Sequence, residues 1–129
     1  MSTLIFPPDH QRVMPYLVMR DAAGFIRFMQ EVFDAKEKMN FKSDAQTIAH
    51  AELAIGESVI MFSGDTQQLA PCTGGGFIYM SDADEIYHKA IKAGATPILP
   101  PKDNPYGRSG GFMDPFGNTW WVKTYRPNP

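Results

Sequence analysis

The chain has 129 residues, of which 43% are hydrophobic and 20% are charged, which is the balance of an ordinary globular domain. Its formal net charge of −2 gives no field that would attract nucleic acid or an anionic membrane surface. A single cysteine, Cys72, cannot form an internal disulfide, and no stretch approaches the ~20 apolar residues of a membrane-spanning helix. We therefore expect a cytoplasmic protein with neither a nucleic-acid nor a membrane partner.

The first half of the chain predicts one helix and several short strands. The apolar run 13–19 predicts a strand, which Pro15 confines to a sheet edge or to pairing after that residue. Asp21 is a suitable N-cap for a helix of about three turns with an apolar stripe that includes Phe25, Met29 and Val32. Three further strands are predicted, at 36–41, 47–55 and 58–62, with a tight turn at Gly56 between the last two.

The second half repeats this pattern after a polar segment at 65–74. Asp82 caps a predicted helix that ends at Gly94, as a helix C-terminus often does. The predicted strands are 76–80, 96–99, 110–113 and 119–125, with a loop at 100–105 and a turn at 114–118.

The two halves are related by a constant offset. Asp21 and Asp82 are 61 positions apart, and so are Gly56 and Gly117 near the other end of each unit. A shared offset at both ends indicates an internal duplication. We therefore expect an α+β fold in one domain of residues 1–129, made of two βαβββ units joined edge to edge around a hollow. The predicted boundaries are 12–64 for the first unit, 65–74 for the linker and 75–126 for the second unit.

Four segments in order resemble the vicinal oxygen chelate superfamily, which includes glyoxalase I, bleomycin-resistance proteins and extradiol dioxygenases, and more narrowly its PhnB-like branch. They are PYLVMRDAAGFIRFMQEVFDA (15–35), HAELAIGESVIMFSGD (50–65), FIYMSDADEIYHKAIKAGATPILPP (77–101) and YGRSGGFMDPFGNTWWV (106–122). The resemblance implies paired units whose mixed sheets curve into a half-open barrel. It also implies homodimers, in which units can be swapped between chains.

In the metal-dependent relatives, four inward side chains hold a divalent ion. The matching positions here are Met14, Met61, Gly75 and Trp121. Glycine has no side chain, tryptophan offers only a donor, and a thioether is too soft for such an ion. We therefore expect no metal and no cofactor. Met14, Met61 and Trp121 instead suit a flat apolar or aromatic ligand; the alternative is that they simply fill the hollow.

His50 and Glu52 alternate on one predicted strand and therefore share a face. They fit a general base and the carboxylate that orients it. The alternative is a solvated or dimer-facing pair that bonds a basic residue. His10, in a proline-rich terminal segment, is assigned no role.

Arg108 follows Tyr106 in what the sequence predicts to be a loop. The PhnB-like pattern commonly has an acidic residue before this arginine, and here that residue is glycine. Both side chains are candidate ligand contacts, with Arg108 as a clamp for a carboxylate or phosphate; otherwise Arg108 ties its loop to a neighbouring backbone.

Three functions remain open from the sequence. The leading one is a metal-independent protein that binds a small, partly apolar molecule. The first alternative is a metal-independent enzyme that uses His50 with Glu52 or Arg108, and the second is a dimeric scaffold with a packed-shut cavity.

Overall fold

A computed structural model of the chain describes residues 4–66 and 69–127. Within these residues, two helices and eight strands follow one another in the order βαβββ–βαβββ. The elements are β1 (Tyr16–Met19), α1 (Ala22–Phe33), β2 (Lys36–Lys42), β3 (Ile48–Ile55), β4 (Ser58–Gly64), β5 (Gly75–Tyr79), α2 (Ala83–Lys92), β6 (Thr96–Asn104), β7 (Gly107–Met113) and β8 (Thr119–Tyr125).

The strands form two separate four-stranded sheets of the same topology. The first has the order β1-β4-β3-β2 and the second the order β5-β8-β7-β6. In each sheet the first strand pairs in parallel with the last, and the other pairs are antiparallel. Neither sheet closes on itself, and the predicted α+β fold of two βαβββ units is confirmed.

Both helices begin at the predicted caps. The Asp21 carboxylate accepts a hydrogen bond from the backbone N–H of Gly24 at 2.9 Å, and that of Asp82 accepts one from Glu85 at 3.1 Å. Gly94 follows α2 with a φ of 107°, a conformation that glycine adopts without strain. Within the described residues, no helix has the length and apolarity needed to cross a membrane.

The two units pack against each other through their helices. Helix α1 contacts α2, and the ring of Phe25 packs against Phe116 and Trp120 of the second unit. Phe28 and Phe33 of the same helix contact Phe112. Along the described parts of the chain no strand of one sheet pairs with a strand of the other, so the expected edge-to-edge join is wrong for the single chain.

Strand boundaries differ from the prediction around two proline-rich places. β1 begins only at Tyr16, after Pro15. β6 continues through Pro100 and Pro101, where the sequence predicted a loop. This strand is at the sheet edge, and a register shift between Leu99 and Lys102 leaves both prolines out of the ladder.

The turn between β7 and β8 is fixed by one buried carboxylate. Asp114 Oδ1 accepts hydrogen bonds from the backbone N–H groups of Phe116 and Asn118, at 2.8 and 2.9 Å. Asp114 Oδ2 accepts from the Asn118 amide at 3.0 Å and from Trp120 Nε1 at 2.9 Å. The side-chain oxygen Oδ1 of Asn118 in turn accepts a hydrogen bond from the backbone N–H of Gly74 at 3.0 Å, so this turn sets the register of β8 and the start of β5.

Candidate functional site

Each sheet has one face covered by a helix and one open face. In β3, Ala51 and Leu53 are fully buried in the core, so His50 and Glu52 lie on the opposite, open face. Directly paired residues of neighbouring strands share a face. The pairing therefore defines a first open face, which consists of Tyr16, Met39, Phe41, His50, Glu52 and Met61.

The centre of the first open face is a carboxylate bonded to two imidazoles. Glu52 Oε2 lies 2.9 Å from His50 Nε2, and Glu52 Oε1 lies 2.8 Å from His10 Nε2. Burial opposes ionisation of Glu52, which is only 8% exposed. The hydrogen bonds from His50 and His10 outweigh this effect, and the pKa of the carboxyl group is below its usual value.

His10 reaches the site because the N-terminal segment lies across the first sheet. Asp9 pairs with Lys38 of β2 at 3.5 Å. The Gln11 side chain donates to the Val59 carbonyl at 2.8 Å and accepts from the Val59 N–H at 3.2 Å. His10 was assigned no role from the sequence, because no spacing or periodic pattern predicts its contact with Glu52.

Tyr16 completes the cluster from β1. Its hydroxyl lies 3.3 Å from His50 Nδ1, and the two rings stack with centroids 5.7 Å apart. The four side chains of Tyr16, His50, Glu52 and His10 are thus joined in one hydrogen-bonded chain.

The second sheet presents an open face rich in aromatic side chains. Trp120 is 5% exposed and packs in the core, whereas Trp121, next along β8, is 38% exposed on the other face. The Trp121 ring lies over Gly111, where a Cβ would overlap it. We define the second open face as the exposed side chains that share this surface or stack on it: Phe77, Tyr79, Tyr106, Met113, Trp121 and Tyr125.

Arg108 lies in β7 rather than in a loop, and alternation directs it to the helix side of the sheet. Its guanidinium donates two hydrogen bonds to the Asp84 carboxylate, at 2.6 and 3.1 Å, and lies 3.4 Å from Asp103. These bonds lower the pKa of Asp84. Arg108 therefore ties β7 to a side chain of α2, and the structure does not bring it together with His50.

The four positions that match the family's metal ligands are not on one sheet. Met61 is in β4 of the first sheet, Gly75 and Trp121 are in β5 and β8 of the second, and Met14 precedes β1. None offers a hard oxygen or nitrogen donor. In residues 4–66 and 69–127 no group of three or more His, Cys, Asp and Glu side chains could hold a metal ion. The residues at these positions do not fit the divalent ion of the metal-dependent relatives.

A groove of about 740 Å³ lies between the two units, on the helix side of the sheets. Its lining includes Leu17, Ile60, Ile78 and Trp120, but not Trp121 or His50. The groove also reaches Phe77 and Tyr79 of the second open face, so it borders that face along β5 without reaching Trp121 or His50.

Residues 10–122 match the family model of the Glyoxalase/Bleomycin resistance protein/Dioxygenase superfamily. The chain belongs to this superfamily.

The chain is also similar to one protein in sequence and, at lower identity, to two solved structures in fold. An uncharacterized protein of Mycobacterium bovis is 32% identical over 118 residues, which cover 82% of this chain and 78% of the relative. The crystal structure of TioX from Micromonospora sp. ML1 superimposes with a TM-score of 0.73 at 20% identity, over 89% of this chain and 98% of TioX. A PhnB protein of Bacillus cereus, described as a putative 3-demethylubiquinone-9 3-methyltransferase, gives a TM-score of 0.72 at 16% identity, over 88% and 99%.

Proposed function

We propose that this protein binds a small, partly apolar molecule on its open faces without using a metal ion. The observation that carries this proposal is the exposure of Trp121 within the aromatic second open face. Burying a large aromatic side chain stabilises a protein, so an exposed group of several such side chains points to a surface that is covered in use.

The side chains proposed to contact the ligand are Trp121, Tyr106, Met61 and Met14. Trp121 and Met61 stand at positions where metal-dependent relatives have ligands, and both are adapted to stacking or packing against an apolar group. Arg108 is engaged by Asp84, so we assign it to support of β7 rather than to the ligand.

We further propose that the protein is a homodimer in which one copy completes the site of the other. Met61 lies on the first sheet and Trp121 on the second, and the helices that join the sheets lie on their covered faces. A second copy that places its second open face against the first open face would bring these groups together. A cytoplasmic location is part of the proposal, and the exposed free thiol of Cys72 suits a reducing compartment.

The test is the substitution Trp121→Ala, with binding of the neutral dye N-phenyl-1-naphthylamine followed by fluorescence. We expect the affinity to fall by on the order of 2 kcal/mol, roughly thirtyfold, because a stacked aromatic anchor is lost. Trp120→Ala is the matched control, since removing a buried ring should lower the melting temperature instead. Unchanged dye affinity in a folded Trp121→Ala protein would contradict the proposal, and absence of any binding would favour a scaffold with no ligand.

A second candidate function is metal-independent acid–base catalysis by His50. It is favoured by the 2.9 Å contact of His50 Nε2 with the buried Glu52 carboxylate, which is the arrangement of a base and its orienting group. Arg108, the other partner considered for such an enzyme, faces the helix side of its sheet.

A further inference from the structure

We infer that His10, Glu52 and His50 form one site that binds the acidic hydroxyl group of a small apolar molecule, with His50 Nδ1 as the acceptor. The inference rests on the proposed ligand-binding role and adds the chemistry that the ligand must have. It also includes His10, which the second candidate function leaves unused.

Glu52 determines which ring nitrogen of each histidine can accept a hydrogen bond. An ionised carboxylate only accepts, so His10 Nε2 and His50 Nε2 must both donate, across 2.8 and 2.9 Å. In a neutral imidazole the other nitrogen is then unprotonated. With both imidazoles neutral, both Nδ1 atoms are acceptors, and the site recognises a ligand group that donates a hydrogen bond.

The hydroxyl group of Tyr16 already occupies the position from which a ligand hydroxyl would donate to His50 Nδ1. Its phenol oxygen lies 3.3 Å from His50 Nδ1, and its ring stacks on the imidazole at an angle of 28°. This distance is long for a hydrogen bond from a hydroxyl, and Tyr16 is 45% exposed. A ligand hydroxyl can therefore replace that of Tyr16 at little cost.

The surroundings of the acceptor suit an apolar ligand body. Met39 and Met61 lie on either side of Glu52 in the sheet, and Phe41 lies opposite His50. Met39 and Phe41 are exposed. A hydroxyl bound at His50 Nδ1 would thus have apolar side chains beside it.

The carboxylate also stabilises the product of proton transfer. When the ligand O–H bond breaks and an N–H bond forms at His50 Nδ1, the ligand becomes an oxyanion and His50 an imidazolium. Glu52 carries the compensating negative charge, and its second oxygen stays bonded to His10. Glu52 acts as a positioning residue because it sets the tautomer of His50 without touching the ligand oxygen, and His10 positions Glu52 through the other carboxylate oxygen.

The experiment uses 4-nitrophenol as the probe, at a pH below the pKa of the free phenol, and follows the absorbance of the phenolate. We expect binding to produce the phenolate band, and 4-nitroanisole, which lacks the O–H group, to bind about tenfold more weakly. His50→Gln should weaken 4-nitrophenol binding about tenfold and abolish the band. His88→Gln, which removes an exposed histidine of α2, is the matched control and should change neither.

Equal affinity for both probes, or a His50→Gln protein that still ionises the phenol, would overturn the inference. If N-phenyl-1-naphthylamine binds in a Trp121-dependent manner but 4-nitrophenol does not, the inference fails and the proposed function stands; if neither binds, both fail.

Nitrogen-15 NMR of the wild-type imidazoles gives a test that needs no variant. We expect His10 and His50 as Nε2–H tautomers, and an Nδ1–H tautomer of His50 would overturn the inference.

Discussion

Asp114 is the side chain on which the geometry of the second unit most depends. It is 3% exposed, and its two oxygens accept four hydrogen bonds from the turn and from Trp120. Because Trp120 and Trp121 are neighbours on β8, fixing the indole of Trp120 inward also fixes Trp121 on the open face. The proposed ligand contact is thus positioned by a residue that need not touch the ligand.

Asp114→Asn should destabilise the protein by about 2–3 kcal/mol while keeping the volume of the side chain. The amide N–H₂ of the new asparagine is itself a donor and would face the donor groups that now bond the Asp114 carboxylate. Some of these buried donors would then have no acceptor. Urea denaturation measures the change. Asp44→Asn is the control, since Asp44 also accepts two backbone N–H groups but is exposed, and we expect a much smaller effect. Equal losses in the two variants would contradict this account.

At the same scale, the sequence predicted one contact of the site and missed another. Strand alternation places His50 and Glu52 on one face, and the structure joins them. His10 contacts Glu52 across 42 positions of sequence, from a segment with no helix or strand period. Such a contact depends on where the chain crosses the sheet, which local spacing does not encode.

Among the elements, the N-terminal segment compensates for the short first strand. Pro15 cannot donate to the ladder, so β1 begins at Tyr16 and leaves Val59 of β4 without a strand neighbour on that side. The Gln11 amide bonds both the N–H and the carbonyl of Val59 and so takes the place of a peptide group. The same two bonds hold His10 beside Glu52.

Removing this amide should release the segment locally. In Gln11→Ala, we expect the Val59 N–H to lose its protection from hydrogen exchange, while amides inside the β3–β4 ladder keep theirs. Gln30→Ala, at an exposed position of α1, is the control and should leave Val59 protected. Unaltered exchange at Val59 in the Gln11 variant would show that the segment is held in another way.

Strand β6 shows the limit of proline as a signal of loops. Pro100 and Pro101 predicted the end of a strand, yet β6 runs from Thr96 to Asn104. Because β6 is an edge strand, a bulge can accommodate residues that donate no hydrogen bond. Whether the two prolines end the strand therefore depends on the position of the strand in the sheet, and the local sequence does not indicate that position.

For the whole molecule, the internal repeat was sufficient to predict the architecture but not the packing of its halves. The constant offset between the Asp21 and Asp82 caps predicted two βαβββ units, and the structure has them. The sequence did not reveal that α1 would pack its phenylalanines against the second unit. An apolar stripe on a helix predicts which side is buried, but it does not predict which element packs against that side.

This packing leaves both open faces uncovered within one chain, which is why we expect a dimer. Light scattering at micromolar concentration should give about twice the chain mass of 14.4 kDa. The apolar side chains of the open faces would be shielded by the second copy. A mass equal to that of one chain would show that no second copy completes the site.

The central claim is that the open faces bind an apolar molecule without a metal ion, and one titration tests it directly. Protein stripped with a chelator is titrated with N-phenyl-1-naphthylamine, alone and after addition of Zn²⁺ or Mn²⁺. We expect the same affinity in all three titrations, because Met14, Met61, Gly75 and Trp121 supply no ligand set for either ion. Dye binding that appears only when one equivalent of ion per chain is added would contradict the claim.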